Sequence, residues 1–166
     1  MSENLLYKPY RRFLSETAWL LDAFNASLSE LTSGARSETF RLSGEMAVIR
    51  LHDAWARFCR ELIIMSAGCR PYTASRVRLP CAPGIQKGTD VIPILLSRYP
   101  RKRYEPNWAT ARECLDAAQR LQILNFSTVS AAIGSTNSPA EEIRHVRNFF
   151  AHRSKNSADQ IRNQSF

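Results

Sequence analysis

The stretch Arg144-His145-Val146-Arg147-Asn148-Phe149-Phe150-Ala151-His152-Arg153 holds three arginines and two of the chain's three histidines within ten residues. Imidazole, with an unperturbed pKa of about 6.5, is the side chain that gives or takes a proton near neutrality. Guanidinium keeps its charge and presents a planar fork of donors to phosphate or carboxylate oxygens. Together they suit reactions in which an oxyanion is held while protons move. The third histidine, His52, falls between Val48 and Trp55 on an apolar helical face and reads as a packed, hydrogen-bonded core histidine.

A helix must position the cluster, and local chemistry defines where it starts. Ser138-Pro139-Ala140-Glu141 is a capping box, with Ser138 placed to accept from the N3 amide, Glu141 to reach back, and Pro139 at N1 where no N–H is missed. Glu141 and Glu142 complement the positive end of the helix dipole. Ile143, Val146 and Phe150, with Phe149 alongside, form the expected core-facing stripe. At about 100° per residue, Arg147 falls beside that stripe, while Arg144, Asn148 and His152 follow one another on a neighbouring face. An arginine so placed points into a groove between helices, where its stem is covered and its guanidinium needs an anion. Arg147 and His152 lie roughly 140° apart on a regular helix. One compact site therefore requires either that the helix loosens near Ala151 or that two chains share it. The structural alternatives are an ion pair from Arg147 to Asp53 or Glu61, and a His152 that merely favours the negative helix end. Arg144, Arg153 and Lys155 either hold a nucleic-acid backbone or serve that same helix end, and His145 reads as a solvent or interface residue.

The remaining elements are helical as well. Phe13, Leu20, Phe24, Leu28 and Leu31 recur at helical spacing, with Leu14 and Leu21 widening the stripe and Pro9 tolerated in a first turn; Thr32-Ser33-Gly34 ends this helix. A second helix carries Val48, Leu51, Trp55, Phe58, Leu62 and Met65 in unbroken steps of three and four, with Gly68 as its stop. A short apolar segment at 92–96 precedes a third helix, expected to start after Pro106-Asn107 and to carry Trp108, Ala111, Leu115 and Ala118 to about Leu121. Residues 126–133 add a short helix, and 76–79 are the one candidate strand. The expected fold is all-α, an up-and-down bundle built on two long N-terminal helices in a single domain.

Composition narrows the function. The 166 residues include 23 Lys and Arg against 15 Asp and Glu, a net charge of +8, with 44% hydrophobic residues. A chain of this size buries roughly 70% of its unfolded surface, so disulfides and structural metals are not needed for stability. The cysteines Cys59, Cys69, Cys81 and Cys114 form no C-x-x-C pair and read as reduced thiols, with Cys59 and Cys114 packing as small apolar side chains. No cofactor or metal site is expected. No apolar run approaches the roughly 18 residues of a membrane span, and residues 1–12 lack a signal-peptide core, so the chain reads as soluble and cytoplasmic with no membrane partner.

Most of the positive charge falls in one window. Residues 70–106 hold eight basic residues (Arg70, Arg76, Arg78, Lys87, Arg98, Arg101, Lys102 and Arg103), two acidic ones and six of the eight prolines. The window reads as a basic, loop-rich insertion. With Tyr72, Tyr99 and Tyr104 interleaved, it offers phosphate contacts and base-stacking surfaces together, and Arg101, Lys102 and Arg103 are candidate RNA-binding residues. Its structural alternative is a solvated basic loop.

Arg147-Asn148-x-x-x-His152 resembles the R-x4-6-H signature of HEPN domains, with its polar residue directly after the arginine. The layout is similar too: two long helices first, the motif on a late helix, and a small all-α chain, closest to stand-alone types such as the RiboL-PSP group. The resemblance covers most of the chain as architecture and six residues as a motif. It implies a metal-independent endoribonuclease of toxin or defence type that acts as a homodimer, with the motifs of two protomers facing each other and an antitoxin or defence-system protein as a further partner. In this reading His152 takes a proton role, Arg147 stabilises the phosphate oxyanion, and Asn148 orients the phosphate or the histidine. The alternative is a HEPN-like module that binds RNA or protein without catalysis; a third is a helical subunit docking on an acidic partner. HEPN toxins paired with nucleotidyltransferase antitoxins resemble R-x4-His-x-Tyr, whereas here Ser154 stands two residues after His152, so the resemblance does not extend to regulation through that tyrosine.

Overall fold

The computed structural model describes residues 6–33, 38–68, 80–99, 104–134 and 139–152. Apolar residues at helical spacing, punctuated by glycine and proline, produce α1 (Tyr7–Thr32), α2 (Glu38–Ala67), α3 (Val91–Ser97), α4 (Ala111–Leu121), α5 (Phe126–Ile133) and α6 (Pro139–His152). The fold is all-α, with two long N-terminal helices and no strand among the described residues. No helix among them is long and apolar enough to cross a membrane. The candidate strand at 76–79 lies outside the described residues.

The chain divides into two compact units. One contains residues 1–12 and 56–138; the other contains residues 13–55 and 139–166.

In the first unit the buried residues include Cys59, Ile63 and Ala67 of α2, Val91 and Leu95 of α3, Cys114, Ala117, Ala118 and Leu121 of α4, and Val129 and Ile133 of α5, with α4 packed on both α3 and α5. Each large member of such a set contributes about 1.5–3 kcal/mol relative to exposure. Cys59, Cys81 and Cys114 are free thiols. Cys59 and Cys114 are fully buried, and the neighbouring thiol together with burial pushes the Cys59 thiol up, leaving it protonated and inert. The Gly68 amide closes α2 on the Ile64 carbonyl at 2.9 Å. The expected third helix starts later than predicted. Trp108 sits in the turn before α4, its Nε1 donating to Glu105 Oε2 at 2.9 Å, which holds the indole outside the helix it was expected to open.

The described part of the basic window is built into this unit. Arg98 donates to the Arg120 carbonyl at 2.5 Å and the Pro83 carbonyl at 2.9 Å, and Arg120 returns a bond to the Arg98 carbonyl at 3.0 Å. Tyr99 is not the expected stacking surface. It is buried at 7% exposure with the Arg120 guanidinium 4.4 Å over its ring, because the end of α3 turns that ring into the core. Tyr104 is 82% exposed, and Tyr72 lies outside the described residues.

The second unit consists of the long part of α1, the first part of α2, and α6. Phe13 meets Trp55 edge-on at 5.9 Å between ring centroids. The predicted stripe of α1 is half realised: Leu20 is buried and Phe24 half-buried, but Leu28 is exposed and Ser27 is buried instead, its hydroxyl donating to the Ala23 carbonyl at 3.0 Å. The stripe of α2 is displaced in the same way, since Gly44, Ala47 and Ala54 are buried while Val48, Leu51 and Trp55 are half-buried. Small side chains occupy the line of closest helix approach and the large ones flank it. Between α1, α2 and α6 lies an apolar cavity of about 290 Å³, lined by Leu20, Phe24, Val48, Leu51, Ile143 and Val146 among others.

Candidate active site

α6 begins at Pro139 with Glu141 and Glu142 in its first turn, as the capping chemistry predicts; Ser138 lies outside the described residues. The Glu141 carboxylate accepts from Arg144 Nε at 2.6 Å. Arg144 Nη2 also lies 3.3 Å from His145 Nε2. Arg144, expected to hold substrate, therefore already has a carboxylate partner.

The helix is regular to its last residue, His152, so the loosening near Ala151 that would let one chain complete a site does not occur. Ile143 and Val146 face the apolar cavity, and Phe149 and Phe150 lie 5.7 Å apart. Every residue at 143–150 is half-buried and none is fully buried, so the predicted stripe faces the cavity rather than a filled core.

Arg147 lies beside that stripe, as its position in the sequence predicts. Its Nε is buried and has no hydrogen-bond partner, and Nη1 makes one long bond, 3.3 Å, to Asn148 Oδ1. Within the second unit, the alternative ion pair from Arg147 to Asp53 is absent among the described residues. Asp53 stands beside His52, and Glu61 accepts from Arg12 Nη1 at 2.7 Å. Among the described residues Arg147 pairs with no carboxylate. A covered guanidinium with an unmet donor carries an unpaid desolvation cost, which an oxyanion would relieve.

His52 corrects the sequence reading in one respect. Its side chain is packed, 11% exposed, but both ring nitrogens are buried without a hydrogen-bond partner. Asp53 Oδ1 is 3.7 Å from Nδ1, too far for a hydrogen bond yet near enough for its charge to act. Burial, then the charge of Arg147, hold the imidazole below its ordinary range; Asp53 opposes them and Arg144 adds to them. His52 is thus neutral at pH 7, in the electrostatic reach of both α6 arginines. The missed signal was a polar residue inside an apolar stripe, four residues after Val48 and with no partner at helical spacing.

The structure thus brings Arg144 and Arg147 of α6 within electrostatic reach of His52 of α2, with Asn148 accepting from Arg147. The expected substrate-binding residues Arg153, Lys155, Arg101, Lys102 and Arg103 lie outside the described residues. No group of three or more potential metal-ligating side chains occurs among the described residues. What fold and site define together is an all-α chain whose last described helix carries a half-buried arginine with an unpartnered Nε and no carboxylate partner among the described residues. No protein-family model, curated protein or solved structure matches it.

Proposed function

We propose that the chain is a metal-independent endoribonuclease of the HEPN type, acting in a toxin or defence role, that cleaves RNA through the RNA's own 2′-OH at a site shared between two copies. The observation that carries this reading is Arg147, covered, short of a hydrogen-bond partner and without a carboxylate among the described residues, on the helix that also bears Asn148 and His152. Attack by the 2′-oxygen needs a base for its proton, positive charge on the equatorial phosphate oxygens, and an acid for the departing 5′-oxygen. Arg147 supplies the charge, and Asn148, whose amide oxygen already accepts from it, fixes the fork. His152 of one copy exchanges the protons at a site whose Arg147 belongs to the other, taking the 2′-hydroxyl proton as base and giving it to the departing 5′-oxygen as acid. The regular course of α6 through Ala151 supports the two-chain arrangement, since the alternative within one chain required that turn to open. Arg101, Lys102, Arg103, Arg153 and Lys155 are the further side chains assigned to RNA phosphates in this reading.

Incubation of total RNA with the wild-type protein in excess EDTA tests the reading. Fragments ending in 2′,3′-cyclic phosphate are expected, with none from His152→Ala. Equal cleavage by that variant removes His152 as catalyst, and loss of cleavage on chelation overturns the mechanism. RNA binding without cleavage favours the non-catalytic module.

A further inference from the structure

We propose that His52 completes a phosphate-binding pocket within one chain, formed with Arg147 and Arg144 between α2 and α6, in which the imidazole hydrogen-bonds a phosphodiester oxygen held by the guanidiniums. The inference rests on the ribonuclease reading for the identity of the anion, while its geometry stands apart from it.

Three observations converge. Val48 and Leu51 of α2 line one cavity with Ile143 and Val146 of α6, and one helical turn further on those two faces stand His52 and Arg147. At that turn the two ring nitrogens of His52 and Nε of Arg147 are buried and unsatisfied. Unmet buried polar atoms are uncommon in folded proteins, and these three lie on two side chains near enough for the charge of one to act on the ring of the other. The charges acting on the imidazole complete the picture: Arg147 and Arg144 from α6 and Asp53 from its own helix. Arg144 is balanced by Glu141, but Arg147 is not balanced among the described residues. A group with several acceptor oxygens and negative charge would accept from Arg147 Nε and from a protonated ring nitrogen together. A water molecule would satisfy the same atoms, but it carries no charge and would leave the titration of His52 unmoved by anions.

The coupling gives a readout that a structural role does not move. An oxyanion beside His52 offsets the two guanidiniums and gives the imidazolium a partner, so its pKa rises; reciprocally, protonation of His52 tightens anion binding by the same factor. The test is an NMR pH titration of the wild-type protein, with the His52 ring signal assigned by its loss in His52→Gln. Sulfate, whose charge is constant across this range, is one probe, and an all-deoxy oligonucleotide, a phosphodiester strand that cannot be cleaved through a 2′-OH, is the other. Without anion, His52 should titrate below its ordinary 6.5. With either probe the midpoint should rise by about one pH unit, equivalent to about tenfold tighter binding to the protonated protein, and Arg147→Met should abolish the rise. A midpoint unmoved by both probes, or moved equally in Arg147→Met, overturns the pocket. Response to sulfate alone overturns its assignment to a phosphodiester. Cleavage of RNA with an unresponsive His52 defeats this inference and spares the ribonuclease; a responsive His52 in a protein that cuts no RNA does the reverse.

Discussion

Replacing Arg147 with methionine should stabilise the protein while weakening its hold on RNA, a pairing that a structural arginine would not give. In the free protein Arg147 Nε is buried without a partner, the guanidinium makes one 3.3 Å bond to Asn148, and no carboxylate among the described residues balances it. A buried unsatisfied donor costs about 1–3 kcal/mol, and methionine keeps most of the stem contacts while removing the donor. Because the residue is half-buried rather than fully enclosed, solvent relieves part of that cost, and a gain of about 1 kcal/mol is expected. For a chain of this length that is a rise of roughly 2–4 °C in Tm. Urea denaturation, read as a higher midpoint at unchanged slope, measures it. Salt titration of binding to a non-cleavable strand should lose about 0.7 from its log–log slope for the phosphate contact removed. Destabilisation of 1 kcal/mol or more would refute the reasoning, since Arg147 would then be held by a structural partner.

Other consequences are independent of the site. Glu105, which accepts from both Arg60 and Trp108, is held below the ordinary carboxylate value of 4.5, chiefly by Arg60. A depressed folded-state pKa contributes stability that is complete above the unfolded value and lost as pH falls through the folded one, so Glu105→Gln should flatten the acid limb of a Tm-against-pH profile below about pH 4.5. Gln122 caps α4 with φ 57° and ψ 45° and is exposed, so Gln122→Gly should raise stability. The gain, about 0.5–1 kcal/mol by denaturation, reflects relief of a left-handed side-chain clash. A Cβ at Gly134 would stand 2.6 Å from the Ser130 carbonyl oxygen and 3.1 Å from Leu115 Cδ1, so Gly134→Ala should lower Tm. Ile63→Ala, at a fully buried position, should cost about 2–5 kcal/mol in the same assay.

Much of this architecture is legible in the sequence where one chemical signal acts alone. Residues 126–133 form α5 as predicted, α2 stops before Gly68, and Pro139 opens α6, because local propensity and apolar spacing agree there. Burial depth is less legible. Ala47 and Ala54 lie deeper than Val48 and Leu51, and Ser27 deeper than Leu28, because depth depends on how closely two helices approach, which spacing along one helix does not specify. Tyr99 misled for a related reason: its basic neighbours suggested an exposed surface, but Arg98 and Arg120 clasp each other's carbonyls and draw the ring inward. At the site, the helical angle of Arg147 sufficed to place it beside the apolar stripe, where its Nε is buried. The role of His52 was hidden because its unmet nitrogens become visible only when α6 lies against α2.

The most direct test of a shared ribonuclease site is cleavage of a defined RNA, in excess EDTA, by the wild type, by Arg147→Ala, by His152→Ala, and by a one-to-one mixture of the two variants. The wild type should cut and leave 2′,3′-cyclic phosphate ends, and each variant alone should be inactive. If each site takes its arginine from one copy and its histidine from the other, half the dimers in the mixture carry one intact site, and about a quarter of wild-type activity returns. A wild type that does not cut RNA, or a mixture as inactive as its components beside an active wild type, would contradict the account.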